Sequence, residues 1–90
     1  MKKLHLRYVA CVYPITGIME EEWDSAADTM RELLEELDGR YGGFCDLFVN
    51  RDSGRLNLNT MIYYGEEGRA PVAVIDLDQP IQQGASVMFW

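Results

Sequence analysis

The chain has 90 residues, of which 48% are hydrophobic and 26% charged, and its formal net charge at pH 7 is −7. This length and composition predict one small globular domain over 1–90, and they argue against a disordered chain. The acidic surface would repel phosphate, which argues against a nucleic-acid partner. Because no window approaches the roughly 18 apolar residues of a membrane span, we predict a cytoplasmic protein with no membrane partner.

The first predicted element is a strand over Leu4–Tyr13. Every second side chain along one face is apolar or small, as a strand packed on a core requires: Leu4, Leu6, Tyr8, Ala10 and Val12. Pro14 and Gly17 then predict a turn, and a second short strand is plausible over Ile18–Trp23. Its run Glu20–Glu22 interrupts the alternation, and two interpretations stay open: a solvated edge, or a surface that engages a basic partner.

The clearest predicted element is a helix. Its apolar side chains recur at helical spacing and form one stripe: Met30, Leu33, Leu34, Leu37 and Tyr41. Asp28 or Thr29 can cap its start by accepting a backbone hydrogen bond. Gly42 and Gly43 are expected to end it, since glycine tolerates the left-handed backbone of a helix C-terminus.

After the helix, three apolar residues are expected to hold the chain against the core: Phe44, Leu47 and Phe48. The remaining predicted elements are a turn over Asn50–Gly54, a strand over Asn57–Tyr64, a loop over Gly65–Gly68, a strand over Val72–Leu77 and a last strand over Ala85–Trp90. The resulting order β-β-α-β-β-β predicts an α+β fold, with one main helix covering one face of a mixed sheet.

Few residues are suited to chemistry at a site. Cys11 and Cys45 form no Cys-x-x-Cys motif, and His5 is the only histidine, so we expect free thiols and no metal site. Cys11 is expected to be buried or half-buried and inert. No pair of carboxylates can be assigned to acid–base catalysis. The sequence therefore predicts no catalytic residue and no cofactor, and the chain is expected to be at most a non-catalytic carrier or subunit of an enzyme complex.

Three stretches carry a family resemblance: the first strand with its loop to Gly17, the helix segment Thr29–Leu37, and Asp76–Phe89, in which a Pro-apolar-x-x-Gly turn feeds the last strand. In this order they resemble the MoaD/ThiS branch of the ubiquitin-like sulfur carriers. The resemblance implies the β-grasp fold, with a mixed four- to five-stranded sheet covered on one face by one main helix. It also implies that the first and last strands lie side by side and parallel.

Carriers of this family end in a flexible tail that closes with Gly-Gly. An activating enzyme adenylates the terminal carboxylate, which is then converted to a thiocarboxylate, and glycine suits a tail that threads a narrow active site. The present sequence stops at Trp90, at the end of its last predicted strand. From this departure we expect that the chain as written does not carry sulfur.

The resemblance also suggests a binding surface. If Tyr8, Ala10, Val87 and Phe89 face the helix, the alternation sends their neighbours Val9, Cys11, Met88 and Trp90 to the opposite face. If Ala73 and Ile75 also point inward, Val74 points out. Positions matching Val9, Val74 and Trp90 are used by the family to dock partner enzymes. We therefore predict a partner-binding surface that consists of Val9, Val74, Met88 and Trp90, with scattered surface apolar residues as the alternative.

Three functional hypotheses remain. The leading one is a MoaD-like binding protein that lacks the carrier tail and docks a protein through its sheet face, with a link to molybdenum- or tungsten-cofactor enzymes. The partner would be an adenylating enzyme or a molybdopterin-synthase-like large subunit. The second is a sulfur carrier, of molybdopterin-synthase small-subunit or ThiS type, whose Gly-Gly tail is missing from this chain. The third is a self-associating module that forms a homodimer through its exposed apolar residues.

Overall fold

The computed structural model describes residues 1–90 and contains five strands, three α-helices and one turn of 3₁₀ helix. In chain order the elements are β1 (Lys2–Tyr8), the 3₁₀ turn (Ala10–Val12), α1 (Tyr13–Thr16), β2 (Glu20–Ser25), α2 (Met30–Tyr41), α3 (Phe44–Phe48), β3 (Ile62–Gly65), β4 (Val72–Ala73) and β5 (Ser86–Phe89). None of these helices has the length and apolar character needed to cross a membrane.

The five strands form one mixed sheet in the order β2-β1-β5-β3-β4. The first and last strands, β1 and β5, pair in parallel, and the other three pairs are antiparallel. Helix α2 covers one face of this sheet through its apolar stripe. The predicted α+β arrangement and the parallel pairing of the terminal strands are confirmed.

One hydrophobic core lies between the sheet and the helices. Strand β1 contributes Leu4, Leu6 and Tyr8, all fully buried, and Phe89 of β5 packs edge-on to Phe44 with 5.6 Å between the ring centroids. Helix α2 contributes four residues of its predicted stripe, all fully buried: Met30, Leu33, Leu34 and Leu37. The fifth, Tyr41, is half-buried and packs against the core. The short helix α3, which the sequence did not indicate, turns Phe44 and Phe48 inward, as expected for residues that hold this segment against the core.

Helix α2 begins and ends where the sequence indicates. The Thr29 hydroxyl accepts a hydrogen bond from the Glu32 N–H, while the Glu32 carboxylate accepts one from the Thr29 N–H, forming a capping box. At the other end Gly42 has φ 80°, and its N–H donates to the Asp38 carbonyl. The positive φ of Gly42 and Gly43 strongly favours glycine at both positions, which explains the sharp end of the helix.

The first strand is shorter than predicted. It ends at Tyr8, and the segment Val9–Tyr13 that we expected to continue it enters the 3₁₀ turn and α1. Ala10 has φ 53°, a left-handed conformation that no extended strand contains, and it is exposed rather than packed on the core. Pro14 lies in the first turn of α1, where its fixed φ favours a helix start.

The strands of the second half are also shorter than predicted, because polar side chains bond to the backbone and form turns in their place. Asn57 accepts hydrogen bonds from the Asn59 N–H and the Thr60 N–H and hydroxyl, so β3 starts only at Ile62. Asp76 accepts from the N–H groups of the residues two and three positions on, which ends the extended chain after β4. The second strand is present but lies slightly later than expected.

Candidate partner-docking surface

The sheet has a face turned away from α2, here called the outer face. Strand pairing aligns the outward side chains in rows across this face. One row runs from β2 to β4 through directly paired residues: Glu20, Arg7, Met88, Tyr63 and Ala73. The row is charged at its β2 end and apolar at its β4 end, so the outer face divides into a charged half and an apolar half.

The four large apolar or aromatic side chains of this half come from β3, β5 and the residues flanking them, and we call this set the docking surface: Met61, Tyr63, Met88 and Trp90. Met61 is 45% exposed and Trp90 is 44% exposed. The Trp90 N–H donates to the Met61 carbonyl at 2.9 Å, which fixes these two residues side by side. Tyr63, Met88 and Trp90 line one side of a shallow depression of about 570 Å³ in the outer face, and side chains of the charged half line the other: His5, Arg7 and Glu20.

The charged half consists of three basic side chains on β1 opposite three acidic ones on β2. His5 Nδ1 lies 3.0 Å from Glu22 Oε1, and Lys3 Nζ lies 3.7 Å from Asp24 Oδ1. The third pair joins Arg7 Nε to Glu20 Oε2 at 3.8 Å. Exposed ion pairs such as those of Lys3 and Arg7 contribute little to stability.

The structure brings together only part of the predicted binding set. Met88 and Trp90 lie on the docking surface. Val9 is half-buried, and its N–H donates to the Phe89 carbonyl at 3.0 Å, so it lies at the same end of the β1–β5 pair. Its side chain, however, lines a separate apolar depression, together with Ala10, Tyr13 and Met19.

The predicted orientation of Val74 is wrong. Val74 is only 3% exposed and belongs to the core, whereas Ile75 is 87% exposed. Strand pairing gives the reason, because Ala73 pairs with Tyr63 and therefore lies on the outer face. The Val74 N–H donates to the carbonyl of the inward-facing Ile62 at 2.7 Å. The predicted inward and outward positions around Val74 are therefore shifted by one residue, and such a shift exchanges the two faces of a strand.

Sequence reasoning missed Met61 and Tyr63 as members of the docking surface. The signal was present in Met61–Tyr64, where the fully buried Ile62 fixes the inward positions and sends its two neighbours outward. The Tyr63 hydroxyl contacts the Met61 sulfur at 3.8 Å on the outer face.

The glutamate run of β2 does not act as a unit. Glu20 and Glu22 point to the outer face, but Glu21 points to the helix side, where its Oε2 accepts hydrogen bonds from the hydroxyls of Tyr8 and Tyr41 at 2.6 Å each. Burial of the phenol, with the hydrogen bond to Glu21 and its negative charge, raises the pKa of Tyr8 far above its usual value. The same causes raise the pKa of Tyr41.

Neither cysteine is part of a candidate catalytic or metal site. Cys11 is exposed, so the expectation that it is buried or half-buried is wrong, because it lies in the 3₁₀ turn rather than in a strand. Cys45 is half-buried, and burial together with the nearby Asp38 carboxylate raises the pKa of its thiol. No group of three or more His, Cys, Asp or Glu side chains is placed to hold a metal ion.

No family model and no curated protein matches the sequence. Among solved structures, the chain is similar to the HVO 2177 protein of Haloferax volcanii, with a TM-score of 0.74 and 17% identity over 98% of this chain and 80% of that one. It is also similar to SAMP1 of Haloferax volcanii (TM-score 0.68, 18% identity, 98% of this chain, 92% of that one). A third similar structure is a putative molybdopterin converting factor subunit 1 from Pyrococcus furiosus (TM-score 0.69, 20% identity, 99% of this chain, 95% of that one).

These likenesses define the fold of the chain. It is a ubiquitin-like β-grasp fold of the MoaD/ThiS type, as the resemblance of the three sequence stretches implied.

Proposed function

We propose that this chain is a MoaD-like ubiquitin-like protein that binds a partner protein through its docking surface. The observation that carries the proposal is the apolar half of the outer face, where Met61 and Trp90 are each almost half exposed beside Met88 and Tyr63. Water contact with such a cluster is costly for a monomer, and clusters of this kind typically mark interfaces. Tryptophan is also enriched among the residues that dominate binding energy.

The proposed partner is an adenylating enzyme or a molybdopterin-synthase-like large subunit. The MoaD-like fold supports this class, as does the likeness to a protein described as a putative molybdopterin converting factor subunit 1. In this role the chain supplies a recognition surface and no catalytic side chain. A link to molybdenum- or tungsten-cofactor enzymes is part of the same proposal.

Calorimetric titration against each purified candidate partner tests this function. Met88→Glu places a charge in the centre of the docking surface and Trp90→Ala removes its largest side chain, so each should weaken binding by roughly tenfold or more. Ile75→Glu is the matched control, because Ile75 is 87% exposed and lines a different, polar depression. Equal binding by all three variants would refute docking through this surface.

A sulfur-carrier function is the second candidate. It is favoured by the position of Trp90, since residues that follow an exposed strand end beside the docking surface would be presented to a bound enzyme. Intact-mass measurement of the protein recovered from its own cells tests it. A heavier species with a C-terminal Gly-Gly and one oxygen replaced by sulfur would support the carrier function. A mass equal to that of a chain ending at Trp90 would exclude this function.

Self-association through the docking surface is the competing outcome. Sedimentation velocity at low micromolar concentration distinguishes it from partner binding, because a homodimer would sediment as one species of twice the chain mass. If the dimer is lost in Met88→Glu and retained in Ile75→Glu, the apolar surface serves a second copy of the chain. A monomer removes this explanation.

A further inference from the structure

Strand β2 is an open edge of the sheet. It pairs only with β1, and in this pairing Tyr8 N–H donates to the Met19 carbonyl at 2.8 Å. In an antiparallel pair the bonded residues alternate, so the odd-numbered residues of β2 bond to β1. The residues between them turn their backbone N–H and C=O groups away from the sheet: Glu20, Glu22 and Asp24. The β1 residues paired with these three bond away from β2, toward β5 and the residues before it. The His5 N–H, for example, donates to the Ala85 carbonyl at 2.9 Å.

This edge is held firmly from the helix side. Glu21 accepts two tyrosine hydroxyls, as described above. Farther along the strand, Glu36 of α2 accepts hydrogen bonds from Trp23 Nε1 at 3.1 Å and from the Ser25 hydroxyl at 2.7 Å. A strand fixed in this way presents its outward backbone groups in one geometry, which lowers the ordering cost of adding another strand.

The side chains along the open edge are acidic, and only part of each carboxylate is engaged by other side chains. Glu20, Glu22 and Asp24 are exposed on the outer face, and each contacts the basic residues of β1 through one carboxylate oxygen only. The second oxygen of each carboxylate is left for another cation. A second copy of β2 would place like charges opposite one another, which is destabilising and disfavours self-pairing at this edge.

We propose that the β2 edge binds an extended, basic segment of a partner protein, which adds to the sheet as a sixth strand. Main-chain hydrogen bonds to Glu20, Glu22 and Asp24 would give the affinity. Lysine or arginine at alternate positions of the segment would face the three carboxylates and give the specificity. This site adjoins the docking surface, since Glu20 lines the same outer-face depression as Trp90, but it does not depend on the function proposed for that surface.

The probe is an acetylated and amidated heptapeptide in which three lysines alternate with threonine and valine. Amide chemical shifts of the protein should move most over 20–25, and a peptide of the same composition with its lysines adjacent should bind roughly tenfold more weakly. Shifts of equal size across the whole acidic surface, equal affinity of the two peptides, or no binding at millimolar peptide would overturn the proposal.

Backbone methylation of the peptide tests strand addition directly. One peptide is N-methylated at the three lysines and another at the residues between them. Because alternate residues of an added strand face β2, only one of the two should lose binding, by roughly tenfold or more. Which peptide fails reports whether the segment adds antiparallel or parallel. Loss in both or in neither means that the peptide is held by charge alone, which contradicts the proposal.

Protein variants separate this edge from other acidic and apolar surfaces. Glu22→Lys should weaken binding of the alternating peptide by roughly tenfold, whereas Glu35→Lys makes the same charge change on the exposed side of α2 and should have less than about a twofold effect. Equal weakening would indicate a non-specific response to net charge. Trp90→Ala should leave peptide binding unchanged. Loss of peptide binding in this variant would place the peptide on the docking surface and refute the edge site.

Discussion

The inward carboxylate of Glu21 provides the sharpest stability prediction. It lies in a run of three glutamates, and only Glu21 accepts the two tyrosine hydroxyls that join β2 to β1 and α2. Replacement by alanine removes both hydrogen bonds and leaves the phenol of the fully buried Tyr8 without its acceptor. We therefore expect Glu21→Ala to destabilise the fold strongly, while Glu20→Ala and Glu22→Ala leave it nearly unchanged.

The magnitude follows from the two partners. Loss of a charged acceptor by the Tyr8 hydroxyl costs about 1.5–3 kcal/mol, and Tyr41, which is half-buried, can bond to water and loses about 0.5–1 kcal/mol. The sum of about 3 kcal/mol lowers the melting temperature of a domain this size by roughly 12–24 °C. Because both hydroxyls bond to the same oxygen, Glu21→Gln can keep the geometry and lose only the charge, at about 1–1.5 kcal/mol.

Urea unfolding followed by far-UV circular dichroism measures these differences. The expected order of destabilisation is Glu21→Ala, then Glu21→Gln, then the two outward variants at within about 0.5 kcal/mol of the native chain. A double-mutant cycle with Tyr8→Phe should give a coupling energy above about 1 kcal/mol. If Glu21→Ala unfolds at the same urea concentration as Glu22→Ala, the carboxylate does not stabilise the fold in the way argued.

Three further predictions concern the fold. Thr29→Ala should cost about 1 kcal/mol in chemical unfolding and Thr29→Ser nearly nothing, because only alanine removes the cap of α2; equal losses would argue against the cap. Val74→Asp should cost several kcal/mol and Ile75→Asp less than about 0.5 kcal/mol, since only the first buries a charge; equal effects would contradict the assigned faces. The folded chain retains the Tyr8 proton at pH values where the unfolded chain, with a pKa of about 10, releases it. Stability should therefore be present below that pH and fall as the pH rises above it, less steeply in Tyr8→Phe, and identical slopes would refute the linkage.

Local signals in the sequence predicted the parts of the fold whose causes are local. The stripe of α2, its cap and its glycine end depend on residues within or next to one helix. The stripe and the glycine end are confirmed, and of the two cap candidates, Asp28 and Thr29, the structure has Thr29. The limits of the strands depend on competition between sheet pairing and local turns. Ala10, a residue with no turn preference of its own, adopts a left-handed backbone that no pattern indicates. The turns at Asn57 and Asp76 could have been predicted from the sequence, because Asn and Asp side chains commonly accept a hydrogen bond from the backbone N–H two residues on.

The candidate site was harder to predict because it depends on which residues of each strand face the core and which face outward. Strands of two to four residues are too short for their own sequence to decide this. Strand β4 has two residues, so its sequence alone gives no internal check on which face Val74 occupies. The check lies in the neighbouring strand, where the core residue Ile62 aligns with Phe89 and fixes Tyr63 and its partner Ala73 on the outer face. Longer strands such as β1 carry enough alternation to fix their own faces, and there the inward residues were predicted correctly up to Tyr8.

The outer face also explains why a small acidic domain would retain exposed apolar residues at all. Helices cover only one face of the sheet, so Met88 and Trp90 on the other face contribute little to the core. Polar residues at these two positions would cost no core packing. The adjacent strand β1 has such polar residues on the same face, at His5 and Arg7. Apolar side chains on the β3–β5 half and ion pairs on the β1–β2 half therefore differ for a reason other than folding. The two proposals assign a different kind of contact to each half: burial of side chains on the docking surface, and strand addition with charge complementarity at the β2 edge. Variants that affect one kind of contact should largely leave the other intact, because Trp90 lies next to β5 and Glu22 lies on the edge strand β2, with His5 of β1 between them.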